Sequence, residues 1–337
     1  MKTAKIFFLF ISLAMSFVDA ATVKCPVSPN AFEPVVTSQV SFDKKTNLYT
    51  YKYSIKNLGS SKVPIFAFYV QTIIKTESQK SPKYWLSDGL QNDWIKGSMN
   101  WSGRYIDPGQ TLSGFELQSK YPPGITKYAM LGSSDDDPTV VMEADADEAV
   151  VPVCPGFYLE GSSAKSPVPN GVTIGPVPPS RIIARIRIKR MNDKKYQGYH
   201  DEEASLKISP LDTGLIQVVL LGDKDLDVTK ISVDTLRFGQ GEAKPVKTSV
   251  VDHIKEDGDA EMNEHLKKNK FKNLLMEFNL KDVNVLCDVD RALFLTGKYE
   301  TKDLFGAVKI KHVLCDKKTF SKEEKLIKKD GTYKIKD

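Results

Sequence analysis

The sequence predicts an all-β protein: two β-sandwich-like domains joined by a Pro/Gly/Ser-rich linker, with one short helical insertion in the second. Three observations carry this. Short apolar-polar alternations recur along the chain, as in "NLYTYKYSIKN" and "RIIARIRIKR". Turn-forming residues separate them at short intervals. Almost no stretch carries the 3.6-residue spacing of a helix.

The chain opens "MKTAKIFFLFISLAMSFVDAATVKC". Lys2 and Lys5 precede an apolar run from Ile6 to Phe17, and Val18-Asp19-Ala20 supplies small residues for cleavage. This is the pattern of a secretory leader, residues 1–20, and the run is short for a membrane span. The expected location is therefore secreted, periplasmic or extracellular. No later stretch is apolar enough to span a bilayer. Net charge is only +5, with 48 basic and 43 acidic residues, which argues against a nucleic-acid partner.

Export sets the reading of Cys25, Cys154, Cys287 and Cys315. An even number in an oxidising compartment points to two disulfides. Three pairings are open. Cys25–Cys154 with Cys287–Cys315 is preferred because it keeps each bridge inside one domain. No close CxxC spacing supports zinc.

Residues 22–154 read as a β-sandwich. Tyr49, Tyr51, Tyr53 and Ile55 alternate with polar residues, Asn57-Leu58-Gly59 marks a turn, and "VPIFAFYVQTII" follows as a second strand. Trp85, Trp94 and Trp101 fall in a loop-rich stretch, where they would either stack on a ligand or fill the core. Residues 155–180 are dense in Pro, Gly and Ser and read as a linker or as a long loop packed between domains. Residues 181–315 form the second sandwich. Its first strand has Ile182, Ala184, Ile186 and Ile188 on one face and Arg185, Arg187 and Lys189 on the other. "LIQVVLLG" is a buried strand, and "NLLMEFNL" sets Leu274, Met276, Phe278 and Leu280 on one side. "DAEMNEHLKKNKF" departs from the β pattern and reads as the helical insertion. Residues 316–337 form a Lys-rich tail poor in apolar residues.

Two groups of motifs resemble known patterns. "VTKISVDTLRFG" with "AKPV", then "DHIKEDGDAE", "NLLMEFNL" and "LFLTG", is similar to a C-terminal β-module of uncharacterised exported bacterial proteins. That module ordinarily carries a D-x-N-x-D-G loop. Tyr51, Tyr53, Ile55 and Asn57, with "WSG", "IDPG" and "LSGFELQSKYPPG", resemble a second pattern from such proteins, an Ig-like N-terminal domain. The resemblance implies exported β-modules and no particular activity.

"DHIKEDGDAE" is the degenerate form of that loop. Calcium needs oxygen ligands at alternate positions around a Gly turn, and here His253 and Lys255 occupy two of them. A rearranged weak site would use Asp252, Asp257 and Asp259. Calcium is thus the one candidate cofactor; otherwise none is expected. No G-x-S-x-G elbow or HExxH occurs, and the four histidines share no ligand spacing. No catalytic residue is assigned. The expected function is a secreted non-catalytic binding or structural module with a protein or glycan partner. The alternative is an extracellular hydrolase acting on a polysaccharide or envelope polymer through carboxylates the sequence does not single out.

Overall fold

The structure, a computed structural model, describes residues 30–91, 98–133, 169–190, 206–208, 212–252, 271–286 and 289–311. The leader, the four cysteines, Trp94, Asp257, Asp259, the expected helical insertion apart from its last residue Phe271, and the tail lie outside these residues. The fold is all-β and built of sandwich-like parts, as the alternation predicts. Among the described residues no helix is long and apolar enough to cross a membrane.

Nine strands build the first body: β1 Pro34–Asp43, β2 Leu48–Asn57, β3 Ile65–Gln71, β4 Ser78–Lys80, β5 Trp85–Gln91, β6 Ser98–Ile106, β7 Thr111–Ser119, β8 Pro123–Gly132 and β9 Asn170–Pro176. They form a four-stranded sheet in the order β1-β2-β7-β4 and a five-stranded sheet in the order β5-β6-β3-β8-β9. The β1–β2 hairpin closes where Asp43 accepts from the backbone N–H of Lys45 at 2.8 Å and the Thr46 hydroxyl at 3.0 Å, with Asn47 left-handed at φ 57°. Asn and Asp favour such turns because their side chains bond to nearby backbone.

The inner faces meet in an aromatic core. Tyr51, Tyr53 and Ile55 of β2 and Phe115 and Leu117 of β7 pack against Phe68 and Val70 of β3 and Trp101 of β6. Phe68 stacks on Trp101 with ring centroids 5.6 Å apart, and Phe115 meets Trp101 edge-on at 5.8 Å. Trp85 packs edge-on to Phe115 at 5.0 Å. Gly103 makes room for it: a Cβ there would lie 2.7 Å from the Trp85 backbone and 2.4 Å from the Tyr84 carbonyl oxygen.

Part of the expected linker is sheet. Residues 170–176 pair along β8 from Ala129↔Asn170 to Pro123↔Pro176. Val172 and Ile174 supply the period-2 pattern, which the neighbouring Gly and Pro residues obscure. Only Val177–Ser180 then separate β9 from the next strand.

The second body contains β10 Arg181–Arg190, β11 Leu206–Lys207, β12 Leu215–Leu221, β13 Ile231–Phe238, β14 Lys247–Val251, β15 Asn273–Asn279, β16 Ala292–Tyr299 and β17 Lys302–Lys311. The main path runs β13-β16-β17-β10-β12-β15-β14, with β11 added to β17. β10 changes neighbour along its length. Arg181 to Arg185 pair in parallel with β17, while Arg185 to Arg190 pair antiparallel with β12. The sheet thereby folds over a single core. Ile186, Ile188, Val218, Leu220, Met276 and Phe278 from one half meet Leu236, Phe238, Leu293, Leu295, Leu304 and Val308 from the other. One helical turn, Leu280–Val283, follows β15 and buries Leu280 and Val283.

Candidate functional site

Two places stand out chemically: the seam between the bodies and the exposed β5–β6 margin of the first. The seam is a buried polar cluster. Asp290, 2% exposed, precedes β16. Its carboxylate accepts from Asn170 Nδ2 at 3.0 Å, Gln240 Nε2 at 3.0 Å and the Leu286 backbone N–H at 2.9 Å. Asn170 heads β9, so the first of these bonds crosses from one body to the other. The Asn170 backbone N–H adds a bond to the Val289 carbonyl at 3.0 Å. Burial raises Asp290 above the ordinary carboxylate range against the pull of these donors and of Lys127.

Charged side chains from each body lie on rings of the other. Lys127 of β8 sits 4.8 Å from the Phe294 ring centroid, and burial lowers its ammonium against the opposing charge of Asp290. Arg291 lies 5.0 Å over Phe32 and donates to that residue's carbonyl. Arg181 lies 4.8 Å over Phe305 of its own body and reaches across the seam to Gln71 Oε1 at 3.4 Å; burial brings its guanidinium down to about 10, with Asp303 opposing. Gly124 lets the connection fit closely, since a Cβ there would meet Val177 at 2.6 Å and Ile183 at 3.4 Å. A carboxylate so enclosed and so fully bonded is a fastener between bodies.

The β5–β6 margin is open. Tyr84 is 64% exposed, Leu86 71% and Tyr105 50%. Tyr84 has φ 68°, a region that bulky residues rarely enter. Flanking hydrogen bonds hold it there, from Trp85 N to the Pro82 carbonyl at 3.0 Å and from Arg104 N to the Tyr84 carbonyl at 3.3 Å. Lys83 Nζ lies 4.7 Å from the Tyr84 ring centroid. Leu86 heads a cross-strand row through Ser102 and Ala67 to Leu131, in which only Leu86 is exposed. Tyr69 and Ala129 occupy the next row. The outer face of the four-stranded sheet contrasts with this. It carries Lys52, Lys80 and Glu116, with Lys80 and Glu116 2.8 Å apart.

The residues singled out from the sequence are placed differently. Trp101 is wholly buried and Trp85 is 4% exposed, so the core reading replaces ligand stacking for both. They stand on strands, not in loops. The Trp101 Nε1 donates to the Lys80 carbonyl at 2.9 Å, which shows why an indole suits that position. Asp252 is exposed in a bend after β14, and its expected partners lie outside the described residues. Among the described residues no three His, Cys, Asp or Glu side chains gather as a metal site.

Sequence reading missed Asp290, Asn170, Lys127 and Arg291. The one available signal was "DVDRALF", where an Asp-Arg pair abuts an apolar strand. Tyr84 and Leu86 were also missed, because their alternation is short and a register shift between Ser87 and Gly89 interrupts it. No family model and no curated protein matches the chain.

Proposed function

We propose that the chain is an exported, non-catalytic binding or scaffolding protein that engages a protein or glycan partner through the β5–β6 margin. The observation that carries this is the strained, exposed Tyr84 just before β5, with exposed Leu86 two residues on and exposed Tyr105 on the neighbouring strand β6. Backbone strain at a solvent-facing aromatic is retained where presentation of the ring matters, and exposed aromatics anchor partners and stack on sugar rings. The docked seam supports the reading, because a surface on a fixed body loses little freedom on binding. The leader-like first 20 residues and the four cysteines suit export with two disulfides. Kinship with exported bacterial modules is part of the proposal. An immunoglobulin-like description suits the first body: β2 and β7 face β3 and β8, as the central strands do in that fold. β5 and β6 depart from its sequence order.

The test is retention of the purified chain on glycan arrays and on immobilised envelope and extracellular fractions. Tyr84→Ala combined with Leu86→Ala should weaken retention at least about tenfold, the loss of roughly one anchor contact. Undiminished retention would refute the assignment of the margin. Release of new reducing ends from a polysaccharide would instead establish the hydrolase alternative.

A further inference from the structure

Every sheet edge is a row of backbone groups that can template another strand, and proteins normally blunt such edges. The described edges here are blunted, with one exception. β4 has three residues, and β14 has five and begins with Lys247. β5 breaks register between Ser87 and Gly89, and β13 between Ser232 and Arg237. β9 is tied on its far side at Asn170 to Asp290. β1 has none of these devices beyond Pro34 at its first position. Its ten residues, PVVTSQVSFD, pair with β2 without a register shift, and no charge occurs before Asp43. Val35 and Phe42 are exposed along it.

We infer that β1 is a homodimer edge: it pairs antiparallel with β1 of a second copy, extending the four-stranded sheet to eight strands about a two-fold axis. Such an axis stands perpendicular to the sheet and leaves every residue on its own face, so opposing residues have numbers of the same parity. Two registers then keep most of the strand paired. Centring on Ser38 sets Asp43 of one copy opposite Glu33 of the other, like charge against like. Centring on Gln39 sets Asp43 opposite Val35 and brings the basic hairpin tip, Lys44 and Lys45, beside the other copy's Glu33. Both registers offer an apolar pair on the core-facing side, Val36 opposite Val40 in the first and Val36 opposite Phe42 in the second. Charge therefore selects the Gln39-centred register.

The exposed Gln39 side chain meets its own symmetry mate at the axis, which makes it the point of attack. Sedimentation of the chain should show a dimer at high concentration. Gln39→Lys, which opposes two ammonium groups at the axis, should convert it to monomer with the circular dichroism spectrum and melting temperature of the monomer preserved. Gln39→Cys should give a disulfide-linked dimer under mild oxidation, while Thr37→Cys, whose counterpart is Ser41, should give little. A chain that stays monomeric at about 1 mM, where even weak association is populated, would overturn the inference. A dimer indifferent to Gln39→Lys, or one cross-linked equally well through residue 37, would overturn it too.

Discussion

Both bodies close strands over a core, the first with two sheets and the second with one folded sheet, yet they fill that core differently. The first is filled with aromatics that carry polar handles. Tyr51 donates its hydroxyl to the Tyr121 carbonyl at 2.7 Å, Tyr53 to the Ile174 carbonyl at 3.0 Å and Trp101 to the Lys80 carbonyl at 2.9 Å. Each bond ties the interior to backbone distant in sequence, so the core also fixes strand ends and turns. The second is mostly Ile, Leu and Val, with Phe238 and Phe278 in contact at 5.1 Å. It is held by shape and by the number of apolar contacts. The lesson is that one aromatic core residue does two jobs, packing and anchoring, where an aliphatic one does only the first. Burial pushes the Tyr51 and Tyr53 hydroxyls above the ordinary phenol range, so both remain neutral donors at all working pH values.

The largest expected effect comes from removing the centre of the first core. Trp101→Ala should cost about 4 kcal/mol, the usual range for a buried aromatic. It should also release hydrogen-exchange protection at β4, because the Lys80 carbonyl loses its donor. Denaturant melts with exchange mass spectrometry would measure both. Equal loss of protection in the second body would break the distinction between an anchoring and a merely filling residue.

Next in size is the seam. Asp290→Ala strands three donors and should cost roughly 3 kcal/mol. The same residue sets a pH dependence. Its folded pKa lies above the unfolded value near 4, so the native state holds a proton that the unfolded chain releases. Stability should then fall as pH rises from about 4 through the folded pKa, and flatten beyond it. Asp290→Asn, which cannot titrate, should remove that slope in melts taken across this window. A slope that survives would place its origin in other groups.

The smallest effect separates handle from ring. Tyr53→Phe keeps the packing and leaves the Ile174 carbonyl without its donor, at a cost of about 1 kcal/mol. Leu220→Met in the second core, a volume-conserving change, should cost less than about 1.5 kcal/mol and loosen no distant strand. Exchange rates at β9 distinguish them: faster in Tyr53→Phe, unchanged in Leu220→Met.

Much of the fold was legible because sheet burial writes a period of two into the chain. Tyr51, Tyr53 and Ile55 point inward as their spacing predicts, and so do Ile186, Ile188, Leu274, Met276 and Phe278. β9 was not legible, since two Gly and one Pro interrupt its seven residues while its neighbour β8 supplies the hydrogen bonds. The helical turn at Leu280–Val283 was not expected either; Leu280 keeps the apolar face of β15 while the backbone leaves the ladder.

The sequence alone determined the β class and the inward set of most strands, because alternation is a local property of neighbouring residues. Tertiary structure decided the rest. It carried Asp290 to Asn170, Lys127 to Phe294 and Arg291 to Phe32, contacts between residues far apart in the chain. It left β1 as the one undefended edge among the described strands, which depends on strand order. Charge burial and edge exposure are properties of who stands beside whom, and no periodicity in one dimension records that.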